Sequence, residues 1–184
     1  PFFLYCPWTP PHAAYQIPED EPAWKIYKDK PWGKDAKVAA AMDTMMDRQV
    51  GEITALLKKL GIYENTLMFF TSDNGAAKRF DGIHNSCGVM QGQKRSLNEG
   101  GIRVPMVVRW PGKIKAGTES SQPWYFPDVM PTLSEIAGVP GDVPKDIDGI
   151  SILPTLLGKG EQKQHEYMYW QYGVRAARSG KWKG

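Results

Sequence analysis

The chain has 184 residues, of which 41% are hydrophobic and 23% are charged, and its formal net charge is +3. This apolar content is sufficient for a core and excludes a disordered chain. The charge is mild and the lysines are interleaved with acidic residues, which argues against a nucleic-acid-binding protein. No run of about 18 apolar residues occurs, so the sequence predicts no transmembrane helix.

The first half of the chain follows the pattern of an α/β protein. It opens on an apolar run, residues 1–8, that is typical of a strand. Apolar residues recurring at three- and four-residue steps then predict a long amphipathic helix from about Lys34 to Leu60, with Gly61 placed to end it. The continuous apolar run of residues 66–72 is typical of a central strand in a parallel sheet.

The second half continues the pattern. It contains a second such strand (104–111), a helix (125–139), a short helical stretch (148–160) and two antiparallel strands around Gly173. We therefore predict an α/β fold with a mixed, mostly parallel sheet flanked by helices. Residues 1–160 are assigned to this domain, and residues 161–184 to the start of a small antiparallel subdomain.

Polar residues directly follow the predicted central strand. Asp73 and Asn74 offer hard oxygen ligands at a strand end, where ligands collect in open α/β sheets. Such oxygens suit Ca²⁺ or Mg²⁺ better than zinc. Asp-Asn-Gly is also ordinary turn sequence, so these residues alone leave both interpretations open.

Several motifs occur together with this one, in a fixed order. They are the opening "FFLYCPWTPPHAAYQIPE", then "SDNG", "QKRSLNEGGIRVPMVVRWPGKI", "DVMPTLSEIAGVP", "DGISILPTL" and "RSGKWKG". The set resembles the sulfatase family of the alkaline-phosphatase superfamily over essentially the whole chain. The resemblance implies an alkaline-phosphatase-like fold, hydrolysis of sulfate esters, sulfated sugars or small molecules as substrates, and a periplasmic, secreted or lysosomal location.

The resemblance also implies roles for four residues. Asp73 and Asn74 correspond to ligands of one divalent cation, usually Ca²⁺, with Mg²⁺ as the alternative. Lys94 corresponds to a lysine that contacts the sulfate, and His12 to a histidine that binds sulfate and serves as general acid. These roles are physically consistent, because cations stabilise the sulfate charge and a histidine can protonate the departing alcohol.

The loop that contains Lys94 carries further expectations. Glu99 and Arg103 are predicted to pair and shape the loop, while Gly100 and Gly101 permit close approach of the backbone. Arg95 stands where the family often has glycine.

Four other residues are given no chemical role. Cys6 lies inside an apolar run and is predicted to be a buried thiol, and it and Cys87 are predicted to be unpaired. His84 and Asn85 lie in a loop that varies in the resembling family and are predicted to be solvated loop residues, with contact to substrate as the alternative.

The family's nucleophile does not occur in these residues. It is a formylglycine made from the first residue of a Cys/Ser-x-Pro-x-Arg motif, and the nearest approach here, residues 121–125, has Tyr125 where arginine is required. We therefore expect the formylglycine to lie upstream, and the chain to be the C-terminal part of a sulfatase catalytic domain. The segment by itself is predicted to be inactive.

Two alternatives stay open. One is a phosphonate or phosphate-ester hydrolase of the same superfamily. The other is a non-catalytic glycan-binding module, suggested by tryptophans that lie beside polar residues, although tryptophans are as often partly buried in a core.

Overall fold

The computed structural model describes residues 1–12, 14–80 and 82–184. The chain divides into two compact units. The first consists of Pro1–Tyr63 and Ala77–Gly88, and the second of Glu64–Ala76 and Val89–Gly184.

Helices and strands occur in mixed order along the chain. The helices are α1 (Trp24–Tyr27), α2 (Lys34–Lys59), α3 (Glu99–Ile102), α4 (Val129–Ile136) and α5 (Leu153–Leu157). The strands are β1 (Met68–Thr71), β2 (Met106–Arg109), β3 (Met168–Tyr172), β4 (Val174–Ser179) and β5 (Trp182–Lys183). Short 3₁₀ turns are formed by Tyr63–Asn65, Lys78–Phe80, Phe126–Asp128 and Pro140–Asp142. Within the described ranges, no helix has both the length and the apolar character needed to cross a membrane.

The long helix α2 dominates the first unit and confirms the predicted amphipathic helix. Its buried residues are Ala36, Val38, Ala39, Ala41, Met42 and Leu57. At its C-terminal end Gly61 adopts a positive φ of 70°. The Gly61 and Ile62 amides then donate to the carbonyls of Lys58 and Leu57, the paired bonds of a Schellman motif.

The apolar opening of the chain is not a strand, contrary to the prediction. In the part of the chain that the structure describes, residues 1–8 form no sheet hydrogen bonds, and Phe3 and Tyr5 are 76% and 75% exposed. Apolar content favours a strand, but a strand also requires a neighbour that accepts and donates its backbone hydrogen bonds. Neither Cys6 nor Cys87 forms a disulfide bond, as predicted, but Cys6 is only half-buried.

The first sheet of the second unit consists of β1 and β2, which pair antiparallel. Met68 lies opposite Arg109, and Thr71 lies opposite Met106. The α/β class is confirmed, but this pair is not parallel as the two apolar runs suggested. An apolar run reports burial and carries no information on strand direction. The residues of β1 are half-buried, and those of β2 alternate between half-buried and exposed.

The second sheet is the small antiparallel sheet predicted at the C-terminal end. Its strand order is β3-β4-β5, and Gly173 turns the chain between β3 and β4 with a φ of 69°. Met168 and Ala176 are its buried residues. The division of the chain at residue 160 stays a prediction.

Candidate functional site

The candidate site begins where β1 ends. Asp73 is exposed and Asn74 is half-buried. The hydroxyl of Ser72 donates to the Asn74 carbonyl at 3.0 Å, which closes a tight turn after the strand. Among the described residues the Asp73 carboxylate forms no hydrogen bond or ion pair. Its oxygens are therefore not occupied by a neighbouring side chain.

Residues 91–101 pack directly against this turn. The Gly75 amide donates to the Gly101 carbonyl at 2.8 Å, and a Cβ built on Gly75 would lie 1.9 Å from the Gly100 carbonyl oxygen. A Cβ on Gly100 would in turn lie 2.1 Å from the Gly92 carbonyl oxygen. The prediction of close backbone approach at Gly100 and Gly101 is confirmed, and Gly75 belongs to the same contact.

The antiparallel register explains why these segments meet. Thr71, the last residue of β1, pairs with Met106, the first residue of β2. The turn after β1 therefore lies beside the segment that leads into β2, and that segment contains α3. The Lys94 amide donates to the Ala76 carbonyl at 2.8 Å. This bond holds the backbone of Lys94 beside Ala76, which follows Asn74 by two residues in sequence. The predicted residues Asp73, Asn74 and Lys94 are thus on adjacent loops.

Arg95, the neighbour of Lys94, has a φ of 75°. This left-handed conformation costs an L-residue with a side chain roughly 1–2 kcal/mol and costs glycine almost nothing. The conformation gives a physical reason for a glycine preference at this position.

We expect Arg95→Gly to stabilise the full-length protein by about 0.5–1 kcal/mol. The relief of backbone strain exceeds the extra conformational entropy that glycine gives the unfolded chain, which is itself about 0.5–1 kcal/mol. Urea denaturation measures the free energy of unfolding. Arg175→Gly is the matched control, because Arg175 is exposed on β4 with no positive φ and its replacement should destabilise. Equal destabilisation by both variants would contradict the argument.

Glu99 does not have the predicted partner. Its carboxylate accepts a hydrogen bond from Lys183 Nζ at 2.9 Å, while the Arg103 backbone amide donates to the Glu99 carbonyl. Lys183 comes from the "KWK" motif on β5. The two motifs are far apart in sequence, and only the folded chain joins them.

The two histidines considered in the sequence analysis, His12 and His84, lie in the first unit. His12 is exposed, and its amide donates to the Thr9 carbonyl at 2.9 Å. His84 is not a solvated loop residue, because its Nε2 lies 3.0 Å from the Ala36 carbonyl oxygen and its ring packs edge-on against Trp32 and Phe80. Both the hydrogen bond and the ring contacts assign His84 to packing.

The residues present fit part of a calcium shell. Asp73 could supply a carboxylate and Asn74 an amide oxygen. Both are hard ligands of the kind that Ca²⁺ and Mg²⁺ prefer. Across residues 1–12, 14–80 and 82–184, no three His, Cys, Asp or Glu side chains cluster in a metal-binding arrangement. Since Ca²⁺ takes about six to eight oxygen ligands, these two residues would account for a minority of such a shell.

A buried polar cluster that the sequence did not predict lies elsewhere in the second unit. Asp128 is fully buried, and its carboxylate accepts hydrogen bonds from the Tyr125 and Ile150 amides at 3.0 and 2.9 Å. His165 Nε2 lies 2.9 Å from Asp128 Oδ1 and 3.0 Å from Oδ2. Thr132 extends the cluster, because its hydroxyl donates to the Asp128 carbonyl and accepts from the Ile152 amide.

This cluster is structural. It joins the start of α4 to the "DGISI" segment and to His165, which lies three residues before the start of β3. Burial raises the pKa of the Tyr125 hydroxyl beside it, and the carboxylates of Asp148 and Asp128 add to the effect. Asp128 stood in a recognised motif, but nothing local to His165 indicated that it would be the partner.

The fold is that of an α/β protein in which the turn after β1 packs against the loop that carries Lys94, and comparison with known proteins identifies its family. The sulfatase family profile matches residues 1–139. The steryl-sulfatase of Rattus norvegicus is 41% identical over 132 residues, which are 67% of this chain and 22% of that protein. The chain belongs to the sulfatase family.

Two solved structures share the fold of this chain. The crystal structure of Ps i-CgsB in complex with k-i-k-neocarrahexaose aligns with a TM-score of 0.77 and 31% identity, covering 94% of this chain and 38% of that one. The phosphonate monoester hydrolase SpPMH of Silicibacter pomeroyi aligns with a TM-score of 0.58 and 27% identity, covering 73% and 24%. The chain therefore spans about a fifth to two fifths of the length of the proteins it matches.

Proposed function

We propose that the full-length protein hydrolyses sulfate esters and that residues 1–184 contribute some of its active-site residues. The observation that carries this proposal is the packing of the Asp73-Asn74 turn against the Lys94 loop through Gly75, Gly100 and Gly101. In this arrangement the backbone of a turn that carries a carboxylate and an amide side chain is hydrogen-bonded to the backbone of the loop that carries a lysine.

Each residue has a distinct task in the proposal. Asp73 and Asn74 would bind a divalent cation, Ca²⁺ in the first instance, which supplies electrostatic stabilisation of the sulfate oxygens when bound. Lys94 places a positive charge where negative charge develops as the ester bond breaks. His12 would donate the proton that the departing alcohol needs. The nucleophile, a formylglycine, would come from a part of the protein outside residues 1–184.

The proposed substrate class is a sulfated sugar. The structural similarity to Ps i-CgsB, which was crystallised with a carrahexaose, supports a glycan. The sequence similarity to steryl-sulfatase supports a small hydrophobic alcohol instead. These classes are separated by an assay of sulfate release. The panel of substrates contains sulfated oligosaccharides, a steryl sulfate and a simple aryl sulfate.

A phosphonate hydrolase is the second candidate, favoured by the similarity to SpPMH. Adding an aryl phosphonate monoester to the same panel tests it. A higher kcat/KM for the phosphonate than for every sulfate ester would transfer the proposal to that activity.

The metal assignment is tested with Asp73→Ala in the full-length protein. We expect the affinity for Ca²⁺, measured by calorimetry, to fall by more than the 10- to 100-fold that loss of an outer-shell partner typically costs. Asp146→Ala is the control, because Asp146 is an exposed carboxylate outside the site. Unchanged calcium affinity in Asp73→Ala would remove Asp73 from the metal shell.

A further inference from the structure

We infer that Lys183 is a positioning residue for the Asp73-Asn74 turn and acts on it through Glu99. This inference rests on the proposed function, because it concerns the same site. Lys183 Nζ donates to Glu99 Oε1 at 2.9 Å, and the two side chains are 22% and 35% exposed. Such a partly shielded ion pair is screened less by salt than a surface pair.

The ammonium group of Lys183 is itself firmly placed. Lys183 pairs with Arg178 across β4 and β5, and the next residue, Gly184, exchanges two backbone hydrogen bonds with Ala177. The Nζ atom also lies 5.6 Å from the centroid of the Trp170 ring, within range of a cation–π interaction. The small C-terminal sheet therefore presents a fixed cation to Glu99.

Glu99 is the first residue of α3, a helix of four residues. A helix this short has little stability of its own, and the residue before it, Asn98, makes no side-chain capping bond. The ion pair with Lys183 thus fixes a helix that its own hydrogen bonds hold weakly.

The helix α3 packs tightly against the Asp73-Asn74 turn. Gly100 and Gly101 of α3 contact Gly75 so closely that a single methyl group on Gly75 would lie 1.9 Å from the Gly100 carbonyl oxygen. The Gly75 amide is bonded to the Gly101 carbonyl at 2.8 Å. A displacement of α3 therefore moves Gly75 and the adjacent Asn74.

The test uses three variants of the full-length protein. Lys183→Met removes the charge and keeps most of the side-chain volume, and Lys183→Arg restores a cation. Lys181→Met is the matched control, because Lys181 is a neighbouring lysine whose Nζ lies 5.4 Å from the Trp182 ring centroid and which has no carboxylate partner among the described residues. Calcium affinity is measured by calorimetry, and kcat and KM are measured with a sulfate ester. Both measurements are made at a temperature well below the thermal unfolding midpoint of every variant.

We expect Lys183→Met to weaken Ca²⁺ binding on the order of tenfold and to lower kcat, as is typical when an outer partner of a metal site is lost. Lys183→Arg should recover a large part of the affinity, and Lys181→Met should match the wild type. If Lys183→Met does not fold, Glu99→Gln serves as the second variant, since it removes the charge pair and leaves a hydrogen-bond acceptor.

The outcomes distinguish this inference from the proposed function. Suppose that the wild-type protein binds Ca²⁺ and cleaves sulfate esters, and that Lys183→Met lowers thermal stability but not calcium affinity or kcat. That result would overturn the positioning role of Lys183 and leave the proposed function intact. A wild-type protein that neither binds Ca²⁺ nor cleaves any sulfate ester would overturn both.

Discussion

Replacing Lys94 with alanine should lower the kcat/KM of the full-length protein for a sulfate ester by about 10²–10³-fold. This is the range observed when one preorganised electrostatic group is removed from an active site. The ammonium group is expected to interact more strongly with the transition state, in which negative charge grows on the departing oxygen, than with the ground state. The loss should therefore appear mainly in kcat.

The structure makes this variant a clean test. The Lys94 loop is anchored by the backbone bond from the Lys94 amide to the Ala76 carbonyl, and this bond does not depend on the side chain. The thermal midpoint of Lys94→Ala should therefore stay close to that of the wild type. Lys113→Ala is the matched control, because Lys113 is exposed and its amide also makes a loop hydrogen bond, to the Trp110 carbonyl.

Lys94→Arg refines the interpretation. Arginine keeps the charge but presents it as a planar fork, so partial activity is expected. Full activity in Lys94→Ala would exclude the lysine from the chemistry. A parallel loss of activity and thermal stability would show that Lys94 supports the loop instead.

The second large effect is on stability. Removing the Asp128 carboxylate with Asp128→Ala should lower the free energy of unfolding by about 3–5 kcal/mol, because it deletes the acceptor of three hydrogen bonds at a buried position. Three donors lose their acceptor at once: the Tyr125 amide, the Ile150 amide and His165 Nε2. Each buried donor left unsatisfied costs about 1–3 kcal/mol.

Urea denaturation of the full-length protein, or the yield of folded protein if the loss exceeds its stability, measures this effect. Asp142→Ala is the control, because Asp142 is an exposed acidic residue in a 3₁₀ turn. A double-mutant cycle with His165→Asn isolates the Asp128–His165 term from the two backbone bonds. A loss below about 1 kcal/mol in Asp128→Ala would contradict the view that this cluster holds the segments together.

Some parts of the molecule were predictable because they depend on neighbours in sequence. The α2 helix follows from apolar periodicity, and its end follows from Gly61, the residue that can adopt a φ of 70° without strain. The β3-β4 hairpin follows from alternation on both sides of Gly173. The motifs around Asp73 and Lys94 likewise identified the candidate site residues, although their roles stay predictions.

Other parts depended on partners that are distant in sequence. Apart from the opening residues 1–8, the sequence by itself determined which main segments are helical or extended and which side chains could carry chemistry, because periodicity, turn residues and motifs are local. Only the tertiary structure decided that β1 and β2 run antiparallel, that Glu99 pairs with Lys183, 84 residues away, and that Asp128 pairs with His165, 37 residues away. These contacts are selected by the packing of the whole chain, since a carboxylate is satisfied by whichever cation or donor the fold brings within reach.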